Sequence, residues 1–123
     1  MLSSISLSRP HIDDKSLACL KGLSGLKSLT LNQTSVSDQG LQILNELKGL
    51  TSLTIMQSPI TDAALPHLTG LSRLTSLNLA RTAVTDAGME HIIKLKQLKK
   101  LNLISTGVPS AGMARVHAFF FFF

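Results

Sequence analysis

Residues 74–97, LTSLNLARTAVTDAGMEHIIKLKQ, meet a relative of themselves when the sequence is shifted by 24 positions in either direction. Leu2, Leu26, Leu50, Leu74 and Leu98 open five such units without an insertion between them. A unit this short has an apolar side and nothing of its own to cover it, so it is stable only against a neighbour of the same kind. The repeat therefore commits the chain to a stack of coils sharing one continuous core. Column by column the commitment is strict. The positions in register with Leu74, Leu77, Leu79, Val84, Met89, Ile92 and Leu95 carry Ile, Leu, Val, Met or Phe in every unit.

Within a unit the periodicity changes partway. Leu26, Leu29 and Leu31 alternate with Ser28, Thr30 and Asn32 at period two, the pattern of a short half-buried strand. A hydroxyl residue follows at Thr34, Ser58, Thr82 and Thr106, with Pro10 in its place in the eroded first unit. Then come a β-branched residue (Val36, Ile60, Val84) and a hydroxyl–acid pair (Ser37-Asp38, Thr61-Asp62, Thr85-Asp86) that reads as a helix N-cap and first-turn acid. Leucines at spacing three, Leu41, Leu44 and Leu47, form the inner face of a short helix. Strand followed by helix in every unit predicts parallel strands with helical crossovers. The all-small column Ser16, Gly40, Ala64, Gly88 predicts close approach of each helix start to the adjacent coil.

The pattern Leu98-x-x-Leu101-x-Leu103-x-x-Thr106-x-Val108, with its stronger copies, resembles the leucine-rich repeat signature. Val84-Thr85-Asp86-Ala87-Gly88-Met89 is similar to the V-T-D-x-G-L run of the cysteine-containing type, with Thr standing where that type often carries Cys or Asn. The resemblance implies an α/β leucine-rich repeat solenoid of five coils, with the parallel sheet on the concave face and short helices on the convex one. It implies protein recognition by the concave sheet, and an inward hydroxyl column that bonds backbone across coils. Residues 1–118 form the repeat domain on this reading, and the run Phe119–Phe123 is a truncated or non-native end whose wet rings, beside an open strand edge, favour self-association.

Outward strand positions supply the candidate surface. It is small, polar and almost uncharged, and Asn32, Met56, Asn78, Arg81, Lys100, Asn102 and Ile104 are the residues on it best suited to hold a protein partner. The implied function is a non-enzymatic protein-interaction module. One alternative is the substrate-recognition part of an F-box-type ligase or of a bacterial or protozoan effector assembly. Another is a small hydrolase using His67 and His91, which occupy the same place in adjacent units. That column continues as Cys19 and Ile43 before them and Arg115 after, which is a poor set of metal ligands, so no catalytic residue, metal or cofactor is assigned.

Charge and composition trim the remaining classes. Of 12 basic and 7 acidic residues, those up to Glu90 balance at seven each, so the net +5 lies entirely from His91 onward. The segment KLKQLKK, with Lys94, Lys96, Lys99 and Lys100, is read as a solvated helix-to-strand corner with the capacity to meet an acidic partner. Nucleic acid is disfavoured because the chain has no Trp or Tyr. No apolar run reaches the roughly 20 residues that span a bilayer. Cys19 is the only cysteine, so the array stands on packing, which suits a reducing compartment and favours the cytoplasm.

Overall fold

The computed structural model describes residues 3–108. Their five parallel strands, β1 (Ser4–Ser8), β2 (Ser28–Asn32), β3 (Ser52–Met56), β4 (Ser76–Asn78) and β5 (Lys100–Asn102), pair strictly in sequence order. The register is the repeat itself: Ser4 lies opposite Ser28, Ser28 opposite Ser52, Ser52 opposite Ser76 and Ser76 opposite Lys100. Slipping any pair by one residue would turn a leucine column to solvent, and this holds the sheet in place. Leu29, Leu53 and Leu77, with Leu31, Ile55 and Leu79 two positions on, are shut off from solvent and join the helical leucines in one core. The Phe119–Phe123 run and the self-association built on it lie outside the described residues.

Crossovers return along the other side of the stack. They comprise two short α-helices, α1 (Asp14–Ala18) and α2 (Met89–Ile92), and the 3-10 helices Gly40–Glu46, Asp62–Leu68 and Asp86–Gly88. Leu41, Leu44 and Leu47, like Leu65, Leu68 and Leu71, recur at an interval of three, and so do Leu17, Leu20 and Leu23 around α1 and Met89, Ile92 and Leu95 around α2, so the spacing accommodates both windings. Pro66, which lacks an N–H, sits inside one of these helices. Among the described residues no helix is long and apolar enough to cross a membrane.

Polar side chains bind each coil to the next at the strand-to-helix corner. The Ser37 amide donates to Asp14 Oδ1 at 2.7 Å and its hydroxyl to Oδ2 at 2.5 Å. One repeat on, the Thr61 amide and hydroxyl donate to Asp38 at 2.7 and 2.6 Å. Thr85 makes the same two bonds to Asp62, the amide at 2.7 Å. Each aspartate thus accepts a bidentate pair from the coil that follows, while Thr61 and Thr85 also cap their own helices by accepting from Ala63 and Ala87. Among the described residues Asp86 Oδ1 is shielded from solvent and has no partner. The position one step along the ladder is Pro109, which has neither an amide hydrogen nor a hydroxyl to donate. In the first coil Asp13 and Ser16 form a capping box, and the Ser16 amide holds the Asp13 carboxyl below its ordinary range.

The inward hydroxyl column behaves differently from the expectation. Thr34 and Ser58 do bond across coils, oxygen to oxygen at 3.0 Å, but Thr82 and Thr106 each donate to a carbonyl three residues back in their own coil, Leu79 and Leu103, at 2.7 Å. A threonine hydroxyl has short reach and finds the local carbonyl first.

The small column does mark close approach. A Cβ added to Gly40 would collide with Asp14 Oδ1 and lie 2.6 Å from its Cγ, and one at Gly88 would collide with Leu65 Cδ1 and lie 2.5 Å from Asp62 Oδ1. Gly40→Ala should therefore displace the Asp14 carboxylate from Ser37 and destabilise the fold by about 1–3 kcal/mol. Gly70, where an added Cβ would meet nothing within 4 Å, makes the matched control. Gly70→Ala should be neutral to stabilising, by up to about 1 kcal/mol, through loss of unfolded-chain entropy. Thermal unfolding of the two variants side by side checks this, and equal shifts would refute it. In the same assay Leu77→Ala, at a fully packed site in the middle of the array, should cost about 2–5 kcal/mol.

Candidate interaction surface

Alternate strand residues point away from the core and make a face of short polar side chains. Ser28, Ser52 and Ser76 form one column and Thr30, Thr54, Asn78 and Asn102 a second; the 24-residue interval aligns Asn32, Met56, Ala80 and Ile104 as a third, in which Ala80 is buried. The face is continuous because register is exact across all five strands. Of the residues assigned to partner binding from sequence, Asn32 and Met56 stand opposite one another on β2 and β3, and Asn78 and Asn102 on β4 and β5. Lys100 is exposed beside Ser76. Arg81 and Ile104 meet through the Arg81 amide, which donates to the Ile104 carbonyl at 2.9 Å. The seven residues thus share one side of the sheet and its strand-exit margin.

Their chemistry is divided. Asn78 Oδ1 accepts from the Ala80 amide at 3.0 Å and Asn102 Oδ1 from the Ile104 amide at 2.9 Å, so the carbonyls of both asparagines are committed to shaping the strand exit. Asn32 Oδ1 is shielded from solvent with no donor. Ile104 is 66% exposed, the one large hydrophobic so placed among the described residues.

The strand exits hold a feature that sequence reasoning missed. Arg9, Gln33, Gln57, Arg81 and Ser105, spaced at the repeat interval, all have positive φ, at 119°, 55°, 51°, 58° and 58°. No glycine occupies the column, so its residue types give no sign of a left-handed backbone. The conformation turns each strand out of the sheet. It also aims the Gln33, Gln57 and Arg81 amides at the carbonyls of Met56, Ala80 and Ile104 in the next coil, at 2.9–3.2 Å. A left-handed L-residue costs about 1–2 kcal/mol, which the surrounding sheet must offset.

Elsewhere the surface offers little chemistry. His91 Nε2 lies 3.6 Å from Glu90 Oε1, and neither His67 nor His91 bonds a serine, threonine or cysteine among the described residues. No group of three His, Cys, Asp or Glu there converges on a metal-sized space. An open groove of about 420 Å³ on the helical side, lined in part by Asp14, Lys21, Gln39 and Glu46, has mixed charge and an aspartate already held by Ser37.

Comparison with solved structures agrees with this geometry. Internalin C2 from Listeria monocytogenes is similar at a TM-score of 0.65 and 26% identity, over 79% of this chain and 41% of its own. The actin-binding site 2 of leiomodin-1 matches at 0.72 and 18% identity, over 94% of this chain and 76% of its own. BIR3–SERK2 from Arabidopsis thaliana matches at 0.55 and 17%, over 93% and 57%. The fold is a leucine-rich repeat solenoid. This solenoid spans 41% of the internalin C2 chain and 33% of a second Listeria internalin, inlF, so it corresponds to part of those molecules. No family model matches the sequence. No curated protein matches it either.

The left-handed column yields a direct test. Gln57→Val places a β-branched side chain at φ 51° and should lower unfolding free energy by about 1–2 kcal/mol, whereas Gln57→Gly should change it by less than about 1 kcal/mol. Urea denaturation of both variants decides it. Equal midpoints would mean that the strand exit relaxes to ordinary extended backbone.

Proposed function

We propose that the solenoid is a non-enzymatic protein-interaction module whose sheet face docks a protein partner. The carrying observation is Ile104. It is a bare aliphatic side chain, 66% exposed, at the end of the column that contains Met56 and the unpartnered Asn32 carbonyl. A partner that covered Ile104 and Met56 would remove apolar surface from water. Arg81 and Lys100 are exposed at the margins of the same face, where charges set orientation more than affinity, and the amide groups of Asn78 and Asn102 remain as donors. Among the proteins that share the fold, leiomodin-1 is described by an actin-binding site, and another match is a chain of the BIR3–SERK2 complex. The Val-Thr-Asp-x-Gly run supports the further reading of these coils as cysteine-containing-type repeats. Substrate recognition within a ligase-like or effector assembly would use this same face.

The test is a comparative capture in which a partner found with the wild-type chain is purified and titrated against variants. Ile104→Glu and Met56→Glu should each weaken it by about tenfold or more, since truncating or charging a central apolar contact costs above about 1 kcal/mol. Gln42→Glu, exposed on the helical side, should leave affinity unchanged. A partner that tolerates both sheet-face variants would overturn the assignment.

A further inference from the structure

The two edges of the stack carry opposite charge, and only one is internally satisfied. Along the strand-to-helix edge run Asp14, Asp38 and Asp62, each with its carboxylate occupied by the amide and hydroxyl of the following coil. Along the helix-to-strand edge run Lys21, Lys27, Lys48, Arg73, Lys94 and Lys99, all exposed. These six occupy the four successive turns that lead into β2, β3, β4 and β5. Glu46, at the end of the helix Gly40–Glu46, is the one acid on that edge among the described residues. None of the six cations makes an ion pair with a described carboxylate.

The turns are held in line. The Lys27 amide donates to the Ser3 carbonyl at 2.8 Å, Thr51 to Lys27 at 2.8 Å, Thr75 to Thr51 at 2.9 Å and Lys99 to Thr75 at 2.7 Å, so Lys27 and Lys99 lie on one hydrogen-bonded column. Thr51 and Thr75 reinforce it by donating their hydroxyls to the same carbonyls. With about 4.8 Å between neighbouring strands, four turns extend over about 14 Å, the length of four or five residues of extended polypeptide.

We propose that this edge is a second interaction surface, separate from the sheet face, and that it takes an extended acidic segment of a protein. The cations recur in every turn, at varying positions within it, so they form a band across the stack that a single extended chain can follow. Apart from Arg73 the cations of the edge are lysines, whose flexible stems and point charges tolerate carboxylates at a spacing that differs from the coil spacing. A nucleic acid is a poorer fit, because the chain has no Trp or Tyr on which bases could stack. A bilayer is poorer still. The exposed large hydrophobic among the described residues, Ile104, lies at the strand-exit side, and the basic edge has no such side chain to insert.

A fluorescently labelled oligoglutamate peptide, titrated with the full chain at low and at physiological ionic strength, tests the proposal. Saturable binding at low ionic strength that weakens as salt rises is the expected result. The triple variant Lys48→Glu/Lys94→Glu/Lys99→Glu should weaken it by about tenfold or more, and the neutral Lys48→Gln/Lys94→Gln/Lys99→Gln by a smaller factor. Should the reversed-charge variant fail to fold, as judged by circular dichroism, the neutral one supplies the readout. Ile104→Glu should have little effect on this binding, which separates the edge from the sheet face. Absence of saturable binding, or an affinity unchanged in the folded variants, would overturn the proposal. So would tighter binding of a single-stranded oligonucleotide, or of phosphatidylserine–phosphatidylcholine vesicles, than of the peptide.

Discussion

A coil of this chain cannot hide its leucines from water without the coil beside it. That dependence organises the rest of the structure. Strand leucines point inward at period two and helical leucines at period three, and the two sets meet in one core only if consecutive coils are superposed in register. Burial of a leucine contributes about 1.5–3 kcal/mol, so the leucine columns outweigh any single polar contact described above. They are also indifferent to fine alignment along the stack. Alignment is imposed by the backbone ladder and by the aspartate pairs at one corner, where two short hydrogen bonds to a carboxylate tolerate little sliding.

Polar groups therefore divide their work by edge. At the strand-to-helix corner, carboxylates are consumed in holding coils together. At the helix-to-strand corner the joining is done by backbone and by the side chains of Thr51, Thr75 and Gln97, and Lys27, Lys48 and Lys99 stand exposed beside them. The sheet face is intermediate: Asn78 and Asn102 spend their carbonyls on the strand exits, while Asn32, Met56 and Ile104 are not so engaged. The surfaces open to partners are those the architecture has not already used.

Much of this was legible in the residues. The interval of 24 dictated strand order and register, and inward and outward columns followed from period two alone. The candidate surface residues are where alternation places them, except Arg81, which the left-handed strand exit turns outward. What stayed hidden depended on contacts between coils, which no local pattern encodes. Asp38 reads as a first-turn acid from its neighbours, and only the offset to Thr61, one short of the repeat, hints that it serves the next coil instead. The choice of 3-10 over α winding was not in the leucine spacing, because Leu17, Leu20 and Leu23 keep the same interval of three around α1 as Leu41, Leu44 and Leu47 do around the 3-10 helix Gly40–Glu46. The left-handed exits at Gln33, Gln57 and Arg81 had no signal at all, because the usual marker, glycine, is absent.

Those exits have a consequence for how such a surface can change over generations. A residue there is screened by its dihedral angles and hardly by its volume: Arg, Gln and Ser all occur, while the core columns of the described residues carry only Leu, Ile, Val and Met. Chemistry at the rim of the sheet can therefore be rewritten without disturbing the register beneath it, provided the newcomer accepts a positive φ. Because the backbone is already fixed at each site, a side chain acquired there would meet its target with little further ordering to lose. Such a column is a row of interchangeable fittings on a frame that does not move.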